Sequence, residues 1–123
     1  MHINELTGIV IASAIRIHSA LGPGLLENVY EIVLFRDLLV KGLRVERQKP
    51  VTFTFDGYVF DRGFVADLIV DGRLLIEVKS IPTIGAPEIK QTTTYLKLMD
   101  LRLGLILNFG AASLREGIKR IAN

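Results

Sequence analysis

Residues 64–80, Phe-Val-Ala-Asp-Leu-Ile-Val-Asp-Gly-Arg-Leu-Leu-Ile-Glu-Val-Lys-Ser, constrain this chain more than any other stretch. They read as two apolar strands joined by an Asp-Gly turn. Strands with apolar residues on both faces belong in the middle of a sheet. Yet Asp67, Glu77 and Lys79 stand at positions that such strands bury. An isolated buried charge is costly or shifts its pKa. The three must therefore be paired, hydrogen-bonded or bound to a metal.

The turn decides whether they meet. In a strict two-residue loop at Asp71-Gly72, Val70 faces Arg73 and Asp67 faces Ile76, so Glu77 points to the other face of the sheet. In a three-residue loop of Val70-Asp71-Gly72, with Gly72 left-handed in a bulge, Asp67 faces Leu75 and is a diagonal neighbour of Glu77. Asp67, Glu77 and Lys79 then share one face. Glycine at the third loop position suits that turn, so the three-residue loop is the expected one.

The rest of the chain supplies helices to cover such a sheet. Residues 4–20 carry Leu6, Val10, Ala14 and Ile17 at helical spacing, with Asn4 as the expected cap and Gly22-Pro23-Gly24 as the stop. His18, in the last turn, is expected to be partly exposed. A second helix is expected from about Leu25 to Lys41, with Glu27, Tyr30, Glu31 and Leu34 on one face. A strand-rich middle follows: residues 43–48 lead to Pro50, 51–55 alternate as a half-buried strand, and Asp56-Gly57 turns the chain into 58–60, ahead of the central hairpin. Pro82 to Pro87 reads as a loop, and a third helix runs from about Glu88 to Met99, with Ile89, Tyr95, Leu96 and Met99 toward the core. Leu103–Phe109 is a buried strand. Residues 113–121 suit either a helix with a Ser113/Glu116 capping box or a short turn followed by a strand. The expected order is α-α-β-β-β-β-α-β plus a tail, an α+β arrangement with a central mixed β-sheet flanked by helices.

With 123 residues the chain is sized for a single domain, residues 1–123. It has no cysteine, which excludes disulfides, thiolate metal sites and cysteine nucleophiles. No apolar run approaches the roughly 20 residues of a membrane span. No basic region precedes an apolar stretch at the N-terminus, so a signal peptide is not expected and a cytoplasmic location is the default. A net charge of +2 permits nucleic-acid binding without arguing for it.

The chemistry concentrates in Asp67 and, ten residues later, Glu77-Val78-Lys79. Two carboxylates on adjacent strands can hold a hard divalent cation, with the Val78 carbonyl as a further ligand. Oxygen-only donors favour Mg²⁺ over zinc. Lys79 projects from the same strand face, where it can orient water or offset charge on a phosphorus. Against this stands a plain ion-paired trio of Lys79 with Asp67 or Glu77.

Leu21-Gly-Pro-Gly-Leu-Leu-Glu27-Asn-Val-Tyr30 resembles the signature of the GxxExxY protein family. Ala66-Asp67, Glu77-Val-Lys79, Gln91-x-x-x-Tyr95-Leu96 and Leu105–Phe109 look like the rest of it, in order, over nearly the whole chain. The family is placed in the PD-(D/E)XK nuclease-like superfamily. The resemblance implies a restriction-endonuclease-like core and a nuclease-type site. Asp67 and Glu77 would be metal ligands for Mg²⁺ or Mn²⁺ and Lys79 the catalytic lysine. Glu27 would be an added acid from a helix and Gln91 a polar residue from the helix after the strands. One departure is Glu88, where this family often carries a histidine three residues before the glutamine. The expected function is a metal-dependent nuclease acting on DNA or RNA. The alternatives are a non-catalytic nucleic-acid or nucleotide-binding module of the same fold, and a structural protein, such as a homodimer through a sheet edge, with a vestigial site.

Overall fold

The computed structural model describes residues 1–123. Two helices, α1 (Ile3–Leu21) and α2 (Glu27–Val40), precede three strands, β1 (Val45–Phe55), β2 (Tyr58–Val70) and β3 (Leu74–Lys79). Helix α3 (Ala86–Met99) then crosses to β4 (Leu103–Asn108), and a 3₁₀ turn at Leu114–Gly117 leads into β5 (Ile118–Ala122). The strands lie in sequence order, β1-β2-β3-β4-β5. β3 and β4 are parallel and every other pair is antiparallel, so the sheet is mixed, as expected. The parallel pair is the one joined through a helix, the crossover that parallel strands need.

The two faces of the sheet are covered unequally. Leu74, Ile76 and Val78 of β3 pack with Leu6, Val10 and Ile17 of α1 and with Tyr30, Leu34 and Leu38 of α2. Leu75 of β3 packs on the other side with Leu96 of α3, Ile106 and Ile121. By the two-residue period of a strand, Glu77 and Lys79 share the face of Leu75. The charged positions thus lie on the face covered by a single helix.

Several expected boundaries shift for identifiable reasons. The cap of α1 is His2, whose Nδ1 accepts from the Asn4 N–H at 3.0 Å; the Asn4 side chain instead accepts from Arg120 at 3.0 Å. His18 is buried, at 6% exposure, and its Nε2 donates to the Ala111 carbonyl at 2.9 Å. α2 starts at Glu27 rather than Leu25 because residues 22–26 form a loop pinned by Tyr30. The Tyr30 hydroxyl donates to the Gly22 carbonyl and accepts from the Leu25 N–H at 3.1 Å. Ile89 is exposed rather than core-facing.

The strand-rich middle is simpler than expected. Residues 45–48 run through Pro50 into 51–55 as one strand, β1, and 58–60 joins 64–70 in β2. Pro50 is tolerated because β1 is an edge strand, where a missing N–H leaves no ladder partner unsatisfied. The extra residues around Arg62-Gly63 are absorbed by a shift in register, from Val51↔Phe64 to Phe53↔Phe60. Gly63 is required there, since the Phe53 ring occupies the space its Cβ would take. At the C-terminal end, the turn followed by a strand is the alternative the chain adopts.

Candidate active site

The turn between β2 and β3 sets the register. Asp71 and Gly72 both have left-handed φ, 56° and 65°, and the Arg73 N–H donates to the Val70 carbonyl at 3.0 Å. Pairing resumes at Val70↔Leu74, followed by Ile69↔Leu75 and Leu68↔Ile76. The loop therefore has three residues, as expected, but they are Asp71-Gly72-Arg73. Arg73 is the added residue, following a tight Asp-Gly turn with the left-handed pair of a type I′ hairpin. Extending this register sets Asp67 directly opposite Glu77, not opposite Leu75 and diagonal to Glu77. Parity alone would put Asp67 on the face of Glu77 and Lys79, but alternation in β2 switches at this level, since Ala66 and Ile69 pack in one cluster and Leu68 in the other.

At that level the backbone ladder stops and side chains replace it. The Asp67 N–H donates to Glu77 Oε2 at 3.0 Å, and the Val78 N–H donates to Asp67 Oδ2 at 2.8 Å. Each carboxylate fills the role of a ladder carbonyl on the opposing strand, through a charge-assisted bond. The neighbouring strand is irregular at the same level. Gln48 of β1, between the pairs Arg47↔Leu68 and Lys49↔Ala66, has a left-handed φ of 52°. The sheet thus opens around Asp67. The clasp fixes one oxygen of each acid and leaves Asp67 Oδ1 and Glu77 Oε1 without a backbone donor.

Burial dominates the electrostatics. Glu77 is 3% exposed, and burial pushes its carboxyl up to about 8, with the charge of Asp67 adding to the effect. Burial also raises Asp67, against the lowering influence of the Val78 N–H and the Lys79 ammonium. Lys79 forms no ion pair with either acid, which removes the ion-paired trio. Its Nζ donates instead to Gln91 Oε1 of α3 at 3.0 Å. Gln91 is thus brought to the site as a partner of the lysine.

Glu27 lies at the end of the same strand. Its Oε2 accepts from the Ser80 N–H at 3.3 Å, while the Ser80 hydroxyl donates to the Leu25 carbonyl at 2.9 Å. These bonds stitch the start of α2 to the exit of β3. Gly24 supplies a φ of 106° in the loop before Glu27, and Tyr30 pins that loop, so the glycine, glutamate and tyrosine of the signature work as one unit. Glu88 turns away: its Oε1 accepts from the Gly85 N–H at 3.0 Å and caps its own helix. Val78 meets Asp67 through its N–H, and its side chain lies in the α1/α2 core.

One acid near the site was not anticipated. Glu31 of α2 is 4% exposed, and burial pushes its carboxyl up to about 7, with the charge of Asp67 contributing. Its Oε1 accepts from Gln48 Nε2 at 2.7 Å. Arg47 Nε comes within 2.9 Å of Oε2, yet Oε2 has no aligned hydrogen bond. The available signal was its position one helical turn after Glu27, on the face of Tyr30. Tyr95 is the second addition. It stacks on Phe64 at 3.9 Å, and burial raises its hydroxyl pKa, with the charges of Glu77 and Asp67 adding.

No three His, Asp or Glu side chains converge to hold a metal ion by themselves. The donor set nonetheless fits a hard cation that keeps several waters and is bound through one or two carboxylates. All donors are oxygens, burial raises three neighbouring carboxyls, and Glu31 Oε2 lacks an aligned donor.

A family model described as the PD-(D/E)XK nuclease superfamily matches residues 4–121. Neither a curated protein nor a solved structure matches the chain significantly.

Proposed function

The chain belongs to the PD-(D/E)XK nuclease superfamily, and from that premise we propose that it hydrolyses phosphodiester bonds of nucleic acid in the presence of Mg²⁺ or Mn²⁺. The observation that carries this reading is the Asp67–Glu77 clasp, which opens the sheet beside a lysine on the same strand face. Asp67 and Glu77 would hold the cation through the oxygens left by the clasp, with the Val78 carbonyl as a further ligand. A divalent cation supplies Lewis-acid polarisation of a phosphoryl oxygen and lowers the pKa of water.

The chain's own groups do the rest. Lys79, aimed by Gln91, brings a positive charge to the phosphate, where it offsets the charge that builds up during attack. Glu27 adds an acid at the mouth of the site, beside Ser80. The β2–β3 and α2–β3 bonds hold these groups on rigid elements, so their geometry is set before substrate arrives.

The test is to incubate the protein with single- and double-stranded DNA and RNA in Mn²⁺, beside Lys79→Ala prepared identically. Cleavage by the parent alone supports the proposal and gives the substrate class. Binding without turnover by either protein favours the binding module of the same fold.

A further inference from the structure

The pole of the sheet opposite the candidate active site holds a second charged cleft. Arg73 stands just before β3 and Lys79 at its end, about 20 Å apart at the rise of an extended strand. Arg73, Arg102 and Arg120 line a cleft of about 500 Å³ together with Ile3, Leu101 and Leu103. Asp100 is its one acidic residue. Arg73 also pairs with Asp71 at 3.5 Å, so three guanidiniums meet two carboxylates and the concave site keeps a net positive charge.

The arginines come from three different places: the β2–β3 turn, the residue before β4, and β5. Two of them are held. Arg73 donates to the Met1 carbonyl at 2.7 Å, and Arg120 to Asn4 Oδ1 at 3.0 Å. Each anchor uses one nitrogen of a planar fork and leaves the others to donate. Arg102 enters none of the chain's ion pairs. Guanidinium forks match phosphate oxygens in a bidentate manner. The volume falls within the range of sites for small organic ligands and greatly exceeds that of a single hydrated oxyanion. The apolar wall of Ile3, Leu101 and Leu103 offers a bare phosphate nothing, whereas it suits the flat face of a base.

We propose that this cleft binds a nucleoside phosphate, with Arg73, Arg102 and Arg120 on the phosphate and Ile3, Leu101 and Leu103 against the base. The ligand is a free mononucleotide or the 5′-phosphorylated end of a strand, which share this chemistry. The site stands whether or not the Asp67–Glu77 centre cleaves nucleic acid.

The test is an NMR titration of the full chain at low salt with AMP, adenosine and inorganic phosphate, and with a 5′-phosphorylated oligonucleotide as competitor. AMP is expected to bind saturably, with adenosine and phosphate each much weaker. Arg102→Ala and Arg120→Ala each weaken AMP binding about tenfold, as loss of a charged hydrogen bond does. Arg102 makes no ion pair in the chain, so its variant retains the fold even if loss of the Asn4 contact disturbs the Arg120 variant. Lys79→Ala leaves AMP binding unchanged. An oligonucleotide that binds more tightly than AMP assigns the strand end, and one that binds less tightly assigns the free nucleotide. Absence of saturable binding, equal binding of phosphate alone, AMP binding by Arg102→Ala as tight as the parent's, or loss of binding in Lys79→Ala overturns the proposal.

Discussion

Asp67 and Glu77 hold each other's strands by the backbone: Glu77 Oε2 takes the Asp67 N–H at 3.0 Å, and Asp67 Oδ2 takes the N–H of Val78 at 2.8 Å. Two strands that kept their ladder would have used carbonyls here and closed the sheet. Substituting carboxylates seals the open ends and brings two acids together. The arrangement that satisfies the backbone is also the one that gathers the charges.

Lys79 and Gln91 should separate by role. Lys79 is the cation of the site, so Lys79→Ala is expected to lower cleavage by about 10²–10³, the scale of losing one transition-state donor. Gln91 acts on the lysine through one hydrogen bond, so Gln91→Ala should cost only about tenfold. Both side chains are at least partly exposed, so circular dichroism should show an unchanged fold. Equal losses in the two variants would contradict a positioning role for Gln91.

The buried acids predict an unusual dependence of stability on pH. Glu77 rises from 4.5 to about 8 on folding, and Glu31 from 4.5 to about 7. A carboxyl that is harder to ionise in the folded state favours folding at low pH, and that advantage is lost as pH rises through the window between the two values. In the absence of divalent cations, stability should therefore decline from about pH 4.5 toward pH 8. Glu77→Gln keeps an acceptor for the Asp67 N–H and removes the charge. At pH 8 its melting temperature should exceed the parent's by several degrees, on the scale of about 4 °C per kcal/mol. A lower melting temperature than the parent's would count against the burial account.

Cation binding should show as stability. A ligand at about 100 times its Kd adds roughly 2.7 kcal/mol to a native state that alone binds it. Mn²⁺ should therefore raise the melting temperature of the parent at pH 8 and leave that of Asp67→Asn unchanged. An equal shift in both proteins would move the cation away from Asp67.

Tyr30 is the hinge between signature and site. Its buried hydroxyl bridges Gly22 and Leu25, directly before Glu27. Tyr30→Phe should cost about 1–3 kcal/mol in urea denaturation, because it strips partners from both backbone groups. Unchanged stability would mean that the loop is held by other contacts.

The meeting of Asp67 with Glu77 was legible because an odd number of loop residues brings the two positions side by side on neighbouring strands. The direct pairing was not, since whether Val70 or Arg73 is the extra residue leaves the same sequence pattern. Glu31 was hidden for a different reason. Its burial depends on Arg47 and Gln48 of an edge strand that bends at Gln48, a tertiary fact with no local signature. Pro50 and Arg62-Gly63 read as breaks, yet an edge strand and a register shift accommodate them. The short strands β3 and β4 were plain, because burial on both faces leaves them apolar apart from Glu77, Lys79 and Asn108.

The most direct measurement is the Mn²⁺-dependent cleavage rate of the parent, Glu77→Gln and Lys79→Ala on whichever nucleic acid the parent cuts, each prepared identically and shown to be folded. Cleavage by the parent, none without cation, and losses of at least about a hundredfold in both variants are expected. Parent-level cleavage by either variant would contradict this and place the chemistry elsewhere in the chain.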